Sequence, residues 1–292
     1  MVNLGFTSFA IKYGLRRPTL DDAEYLVAQF IIGKFDKAKD LYLQERKKSF
    51  LEYLFHVWPE HDGIKNFYIL DSFLMKKFPD LCGKQHPIQI TELQIPGQYA
   101  HVEHDEDGMY REMWIGLEPI IHAKDLAAFH TAYHHLISVI YHECDHFYSR
   151  AYISEMQSFE EILQYYLDTA EIRAHAKQLA YYYVQKTPGV AFDYKYLKKL
   201  SLGTQHPQVS GLLATLELLR DPESSSPESC SLLNQQRYQY LHDLILKGRS
   251  KITKRAMTIA FSKYMHYLAY YVVEFNKATR PYQKLVRPST LS

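Results

Sequence analysis

The residues with the clearest chemical potential lie at positions 141 to 146, where the chain reads Tyr-His-Glu-Cys-Asp-His and contains the pattern HExxH. On a helix, His142 and His146 stand about one turn apart on the same face, so their imidazoles can hold one metal ion. Glu143 then lies beside that ion, where a carboxylate can act as a general base. The pattern therefore indicates metal-assisted hydrolysis.

The segment around this motif predicts a long, largely buried helix. Asp125 to Ser149 contains neither Gly nor Pro, and Asp125 is a suitable N-cap. Apolar residues recur along it at steps of three and four: Leu126, Phe129, Leu136, Val139 and Ile140. Because the chain has 15 His, HExxH can also arise by chance. A second feature therefore has to support the site.

That second feature is a helix predicted further along the chain. Asp168 or Thr169 can cap it, and Glu171 falls in its first turn, 25 residues after His146. The sequence from Glu171 to Ala174 reads Glu-Ile-Arg-Ala. The chain thus has an HExxH helix followed by a helix that begins with a carboxylate.

This pair of motifs resembles the gluzincin pattern, in which HExxH is followed by a helix with Glu-x-x-Ala. The resemblance is to the compact gluzincins and covers residues 86 to 185. It implies a zincin-like core, hydrolysis of peptide bonds in a peptide or protein substrate, and Zn2+ as the cofactor. Carried over residue by residue, it implies His142, His146 and Glu171 as ligands and Glu143 as the base. The pattern is also similar to uncharacterised phage-encoded proteins.

The chemistry of zinc is consistent with this ligand set. A catalytic zinc ion needs three protein ligands and an open position for water, and two His and one Glu meet that need. His175 lies one turn after Glu171 on the same face and is the competing third ligand. A tetrahedral intermediate also needs a hydrogen-bond donor, for which Tyr165, Tyr166 and His175 are the nearest candidates in sequence.

Alternating apolar and polar residues before the motif helix predict three short strands, at Ile88–Ile95, Tyr99–His104 and Met113–Leu117. We expect them to form a small antiparallel sheet beside the metal-binding helix. Trp114 to Leu117 is the predicted edge, where an extended substrate backbone can pair with the sheet.

The composition favours helices and argues against two classes of partner. The chain of 292 residues has 25 Tyr and 15 Phe but only 12 Gly, which leaves little room for sheet turns. A formal net charge of +1 gives no reason to expect a nucleic-acid surface. No apolar run is long enough for a membrane span, and the beginning does not read as a signal peptide. Three scattered Cys without a CxxC pair favour a reducing compartment.

We therefore predict a mainly helical α+β fold with three parts. Residues 1–85 form an N-terminal helical segment, 86–190 the zincin-like metal-binding core, and 191–292 a C-terminal helical region that packs on the core. The predicted location is the cytoplasm, or the virion if the chain is phage-encoded. The alternative function is a non-catalytic structural or interaction protein that retains a zincin-like fold.

Overall fold

The computed structural model of the chain describes residues 23–63, 65–79, 82–93, 100–104, 111–148, 168–202, 212–213, 216–217, 219–220 and 251–285. Its contacts divide the chain into two compact units, Met1–Tyr152 and Ile153–Ser292. The predicted core at 86–190 has residues in both units, and the three-part division stays a prediction. The predicted donors Tyr165 and Tyr166 lie outside the described residues.

The first unit contains helices and one small sheet. Its described elements, in chain order, are α1 (Ala23–Glu45), α2 (Phe50–Val57), β1 (Asn66–Phe67), α3 (Ser72–Lys77), β2 (Ile88–Thr91), β3 (Ala100–His104), β4 (Arg111–Gly116), α4 (Glu118–Ile121) and α5 (Leu126–Tyr148). The second unit is described as three helices, α6 (Thr169–Lys186), α7 (Tyr194–Leu202) and α8 (Lys251–Leu285). A mainly helical α+β fold is thereby confirmed.

The sheet differs from the prediction in its topology. Its strand order is β1-β2-β4-β3, and β2 pairs with β4 in parallel while the other two pairs are antiparallel. The expected antiparallel sheet is therefore wrong, because the sheet is mixed. The predicted edge from Trp114 to Leu117 is also wrong, because β4 lies between two strands and buries Met113 and Ile115 completely. The edges are β3 and β1.

The long motif helix is confirmed. Helix α5 begins at Leu126, and the Asp125 carboxylate accepts a hydrogen bond from the Ala128 backbone N–H at 2.7 Å. It packs against α1 through aromatic pairs at both ends, since Tyr141 stacks on Tyr25 and Phe129 stacks on Tyr42. The two helices therefore run antiparallel, and β3 and β4 contact α5 as well.

In the second unit, α6 packs along α8. Lys263 donates to the Thr169 hydroxyl at 2.7 Å near the beginning of α6. Beyond its end, the Asn276 side chain accepts from Gly189 N–H at 2.7 Å and donates to the Val190 carbonyl at 2.9 Å. These polar contacts at both ends of α6 determine the register between the two helices.

None of the described helices is both long and apolar enough to cross a membrane.

Burial raises the pKa of the Cys82 thiol to about 12, and the negative charge of Asp71 acts in the same direction. Cys82 therefore stays protonated near neutral pH and is a poor metal ligand.

Candidate metal centre

The two motif histidines meet at their ring nitrogens. Nε2 of His142 and Nε2 of His146 are 2.9 Å apart, and the ring centroids are 4.7 Å apart at an interplanar angle of 70°. Both side chains are buried, and both belong to the continuous helix α5. The spacing of one helical turn places them on one face, as the sequence pattern predicts.

Glu143 lies next to His142 on the same helix and is also buried. The sequence analysis singled out Glu143 because a carboxylate beside a metal held by two imidazoles can act as a general base. Its role as the general base stays a prediction.

Asp145 is a site neighbour that the sequence analysis missed. Its side chain is completely buried within the HExxH motif, although it occupies one of the two positions that the pattern leaves unspecified. A charged residue in an otherwise apolar helix face is a signal that could have found it, since carboxylates are rarely buried without a partner. Carboxylates near metal-binding histidines commonly orient the imidazole rings.

The second predicted helix is confirmed together with its cap. Helix α6 begins at Thr169, and the Asp168 carboxylate accepts hydrogen bonds from the N–H groups of Ala170 at 2.7 Å and Glu171 at 3.3 Å. Of the two candidate caps, Asp168 is therefore the one used. Glu171 follows in the first turn with only 2% of its surface exposed.

The second unit brings two of the candidate residues together. Glu171 and His175 each offer one ligand atom, and these two atoms lie within 4.8 Å of one another. Imidazole is a ligand that zinc shares with iron, copper and nickel, so these residue types do not identify a metal.

The predicted ligands lie on two helices that belong to different units. Of the residues that the resemblance implied, His142 and His146 lie 2.9 Å apart on α5, and Glu171 lies on α6. The competing third ligand His175 is beside Glu171 on α6. That His146 and Glu171 bind the metal together stays a prediction, and so does the choice between Glu171 and His175 as third ligand.

His175 has a partner that the sequence did not indicate. A hydrogen bond of 3.1 Å joins His175 Nδ1 and the hydroxyl of Tyr264 on α8, and the two rings stack at an angle of 18°. Tyr264 is buried on α8. Tyr264 follows His175 by 89 residues in sequence, so its position opposite His175 depends on the register between α6 and α8.

Comparisons with known proteins identify no relative of the chain. No protein-family model, curated protein or solved structure matches the chain. The resemblance to compact gluzincins therefore rests on the two sequence motifs and stays a prediction.

Proposed function

We propose that this protein is a zinc-dependent metallopeptidase that hydrolyses peptide bonds. The observation that carries the proposal is the 2.9 Å separation between Nε2 of His142 and Nε2 of His146, on one buried helix with Glu143 beside them. Two imidazole nitrogens this close can both lie at about 2.0 to 2.1 Å from one zinc ion.

We assign the third ligand to Glu171. Its carboxylate is buried in the first turn of α6, the helix that carries the second motif. A set of two His and one Glu leaves a position for water and substrate, which catalytic zinc sites require. A carboxylate ligand also reduces the net charge of the buried site, which lowers the cost of burying the ion.

In this proposal the metal ion and Glu143 have separate chemical roles. Bound zinc would supply a Lewis acid that lowers the pKa of water to about 7 and polarises a carbonyl group. The Glu143 carboxylate can accept a proton from the attacking water and then deliver it to the leaving amine. Since Glu143 is buried, proton exchange with bulk water would compete weakly with this transfer.

The substrate we propose is an extended peptide or unstructured protein segment. Strand β3 is the last strand of the described sheet and contacts the motif helix α5. An edge strand offers backbone N–H and C=O groups with which an extended chain can pair. This role passes to Ala100–His104 from the segment at Trp114 that the sequence had indicated. A cytoplasmic or virion location stays a prediction.

A second candidate function is a non-catalytic protein with a structural metal site. The observation in its favour is His175, which offers a ligand nitrogen within 4.8 Å of a carboxylate oxygen of Glu171. If His142 and His146 also bind, four protein ligands close the site, and closed sites are typical of structural zinc. The two functions therefore differ in whether His175 occupies the fourth position.

The experiment that tests the proposal is a paired measurement on Glu143→Gln. The amide is nearly isosteric and no ligand is removed, so zinc content and thermal midpoint should match the parent. Cleavage of an unstructured protein such as casein should fall by about 10² to 10⁴, the usual contribution of a positioned acid-base group. Glu118→Gln is the matched control, because Glu118 lies in α4 and carries no proposed role.

The outcomes separate the two functions. A parent that binds one zinc and cleaves peptides, with a Glu143→Gln variant that binds zinc and does not cleave them, supports the metallopeptidase. A parent that binds one zinc and cleaves nothing in a broad peptide library favours the structural protein. Equal cleavage by variant and parent removes Glu143 from the mechanism.

A further inference from the structure

The edge strand β3 carries an exposed carboxylate. It pairs with β4 on one side, and no other strand among the described residues pairs with its outer side. Glu103 on β3 has 60% of its side chain exposed, and its carboxylate lies 3.1 Å from Nε2 of His101. The outer side of β3 is therefore next to a negative charge that solvent reaches.

The register between β3 and β4 places a second carboxylate beside the first. Met113 is completely buried, so its neighbour Glu112 lies on the other face of the sheet. Glu103 lies directly opposite Glu112. His101 lies directly opposite Trp114 on the same face, and its ring stacks on the indole ring at 3°. Two carboxylates thus occupy neighbouring cross-strand positions, where a like charge is unfavourable and a cation is favourable.

A strand that pairs with the outer side of β3 brings its own side chains onto this face. One of them lies directly opposite Glu103, at a separation of about 5 Å between Cβ atoms. Lys or Arg at that position can form an ion pair with Glu103, whereas Asp or Glu there would add a third carboxylate. In strand addition the backbone hydrogen bonds supply affinity and the alternate side chains supply specificity. The charge on β3 therefore favours a basic strand over an acidic one.

We propose that β3 selects extended peptides that carry Lys or Arg in the position opposite Glu103. This inference rests on the proposed metallopeptidase function and deepens it, because it names basic peptides as the substrate class. Glu103 is then a specificity-determining residue that contacts the substrate side chain and takes no part in bond cleavage. Its effect is on binding, so it can be measured without turnover.

The first test measures binding of short labelled peptides to the zinc-loaded Glu143→Gln variant by fluorescence anisotropy. The peptides consist of Thr, Ser and Val and differ only in a central Lys, Gln or Glu. The Lys peptide should bind about 3-fold to 10-fold more tightly than the Glu peptide, with the Gln peptide between them. The difference should shrink as salt is added, because an exposed ion pair is screened.

Substitutions of Glu103 in the same background test which carboxylate is read. Glu103→Gln should bring the Lys and Glu affinities to within about 1.5-fold of each other, and Glu103→Lys should reverse the preference. Glu92→Gln is the matched control, because Glu92 is an exposed carboxylate outside the strands. It should keep the preference of the parent. Thermal midpoints verify that each variant is folded.

Backbone pairing is tested with N-methylated forms of the Lys peptide. Only alternate residues of a paired strand direct their N–H groups at the neighbouring strand. Methylation of one alternate set of N–H groups should therefore abolish binding, and methylation of the other set should change the Kd by less than about twofold.

Several results would overturn the inference. Equal affinities for the three peptides would do so, as would an unchanged preference in a folded Glu103→Lys or equal effects of the two methylation sets. A dimer in analytical ultracentrifugation that excludes the peptides and dissociates in Glu103→Lys would assign this edge to a second copy of the chain.

Cleavage by the parent separates this inference from the proposed function. A parent that binds the Lys peptide preferentially but cleaves none of the peptides would contradict the metallopeptidase and retain the basic-peptide site. A parent that cleaves the Lys and Glu peptides with equal kcat/KM would retain the metallopeptidase and overturn the selectivity.

Discussion

Helices α5 and α6 both supply candidate ligands, but they position them in different ways. On α5, His142 and His146 are brought together by the spacing of their own helix, and their Nε2 atoms are 2.9 Å apart. On α6, the orientation of His175 comes from Tyr264, which belongs to another helix. One half of the site is therefore local in sequence, and the other half depends on contacts between distant segments.

Both helices also make polar contacts with the helix on which they pack. The part of α5 that packs on α1 is largely aromatic, and the Tyr133 hydroxyl donates to the Asp36 carboxylate of α1 at 2.9 Å. Helix α6 buries Glu171, Lys177 and Gln178 along with its apolar residues. Lys177 lies 5.2 Å from the centroid of the Tyr271 ring on α8, a cation-π contact that partly replaces its hydration. Polar burial on α6 thus requires specific partners from α8.

The largest expected effect follows from the local half of the site. His142→Ala should reduce the zinc content of the purified protein from near one equivalent to near zero, because it removes one of the two imidazoles whose Nε2 atoms lie 2.9 Å apart. Atomic absorption on protein purified without chelator measures this. His130→Ala, a half-buried histidine on the same helix, is the matched control and should keep its zinc. A His142→Ala variant that retains zinc would place the metal elsewhere.

The parts of the fold that the sequence predicted are those with local causes. Helices α5 and α6 and their caps at Asp125 and Asp168 follow from spacing and from side chains that bond to nearby N–H groups. In the predicted N-terminal helical segment, α1 runs unbroken from Ala23 to Glu45, with Ala38 buried on the same face as Phe35. Its end at Glu45 is followed by Arg46, which has a positive φ of 49°.

The parts that the sequence did not predict depend on long-range pairing. Residues 1–85 were expected to be helical, but Phe67 enters the sheet as β1 beside Ile88. The parallel pairing of β2 with β4 could not be predicted from alternation, which is the same in parallel and antiparallel strands of this length. The contact of Tyr264 with His175 escaped prediction for the same reason, since a buried tyrosine pattern does not name its partner.

The second-largest effect is expected from truncating one buried leucine on each of the two helices. Leu136 on α5 and Leu179 on α6 are both completely buried. Truncation to Ala should lower the free energy of unfolding by about 2 to 5 kcal/mol at either position, through lost apolar burial and the cavity that remains. Urea denaturation followed by circular dichroism measures both variants.

The two truncations should also differ in how much they weaken zinc binding. Leu179→Ala should weaken zinc binding more than Leu136→Ala does, because loosened packing on α6 disturbs side chains that depend on α8. The exposed Leu126→Ala, on the surface of α5, is the control and should change the unfolding free energy by less than about 0.5 kcal/mol. Equal losses of zinc affinity in the two core variants would contradict the division into a local and a long-range half.

The smallest expected effect comes from the two caps, which perform the same task at different distances from the ligands. Replacing Asp125 or Asp168 by Ala removes one N-cap acceptor and should cost about 0.5 to 2 kcal/mol of unfolding free energy in each case. The effect on zinc should differ, however. Glu171 lies in the first turn of α6 and its own N–H bonds the Asp168 carboxylate, so fraying there displaces a proposed ligand directly. His142 lies more than four turns from Asp125, so fraying of the first turn of α5 does not reach it.

We therefore expect Asp168→Ala to raise the zinc Kd in competition with a chelator, and Asp125→Ala to leave it unchanged. Asp168→Asn, which keeps a capping oxygen, should restore most of the affinity. An unchanged Kd in a destabilised Asp168→Ala would remove Glu171 from the ligand set and favour His175 in its place.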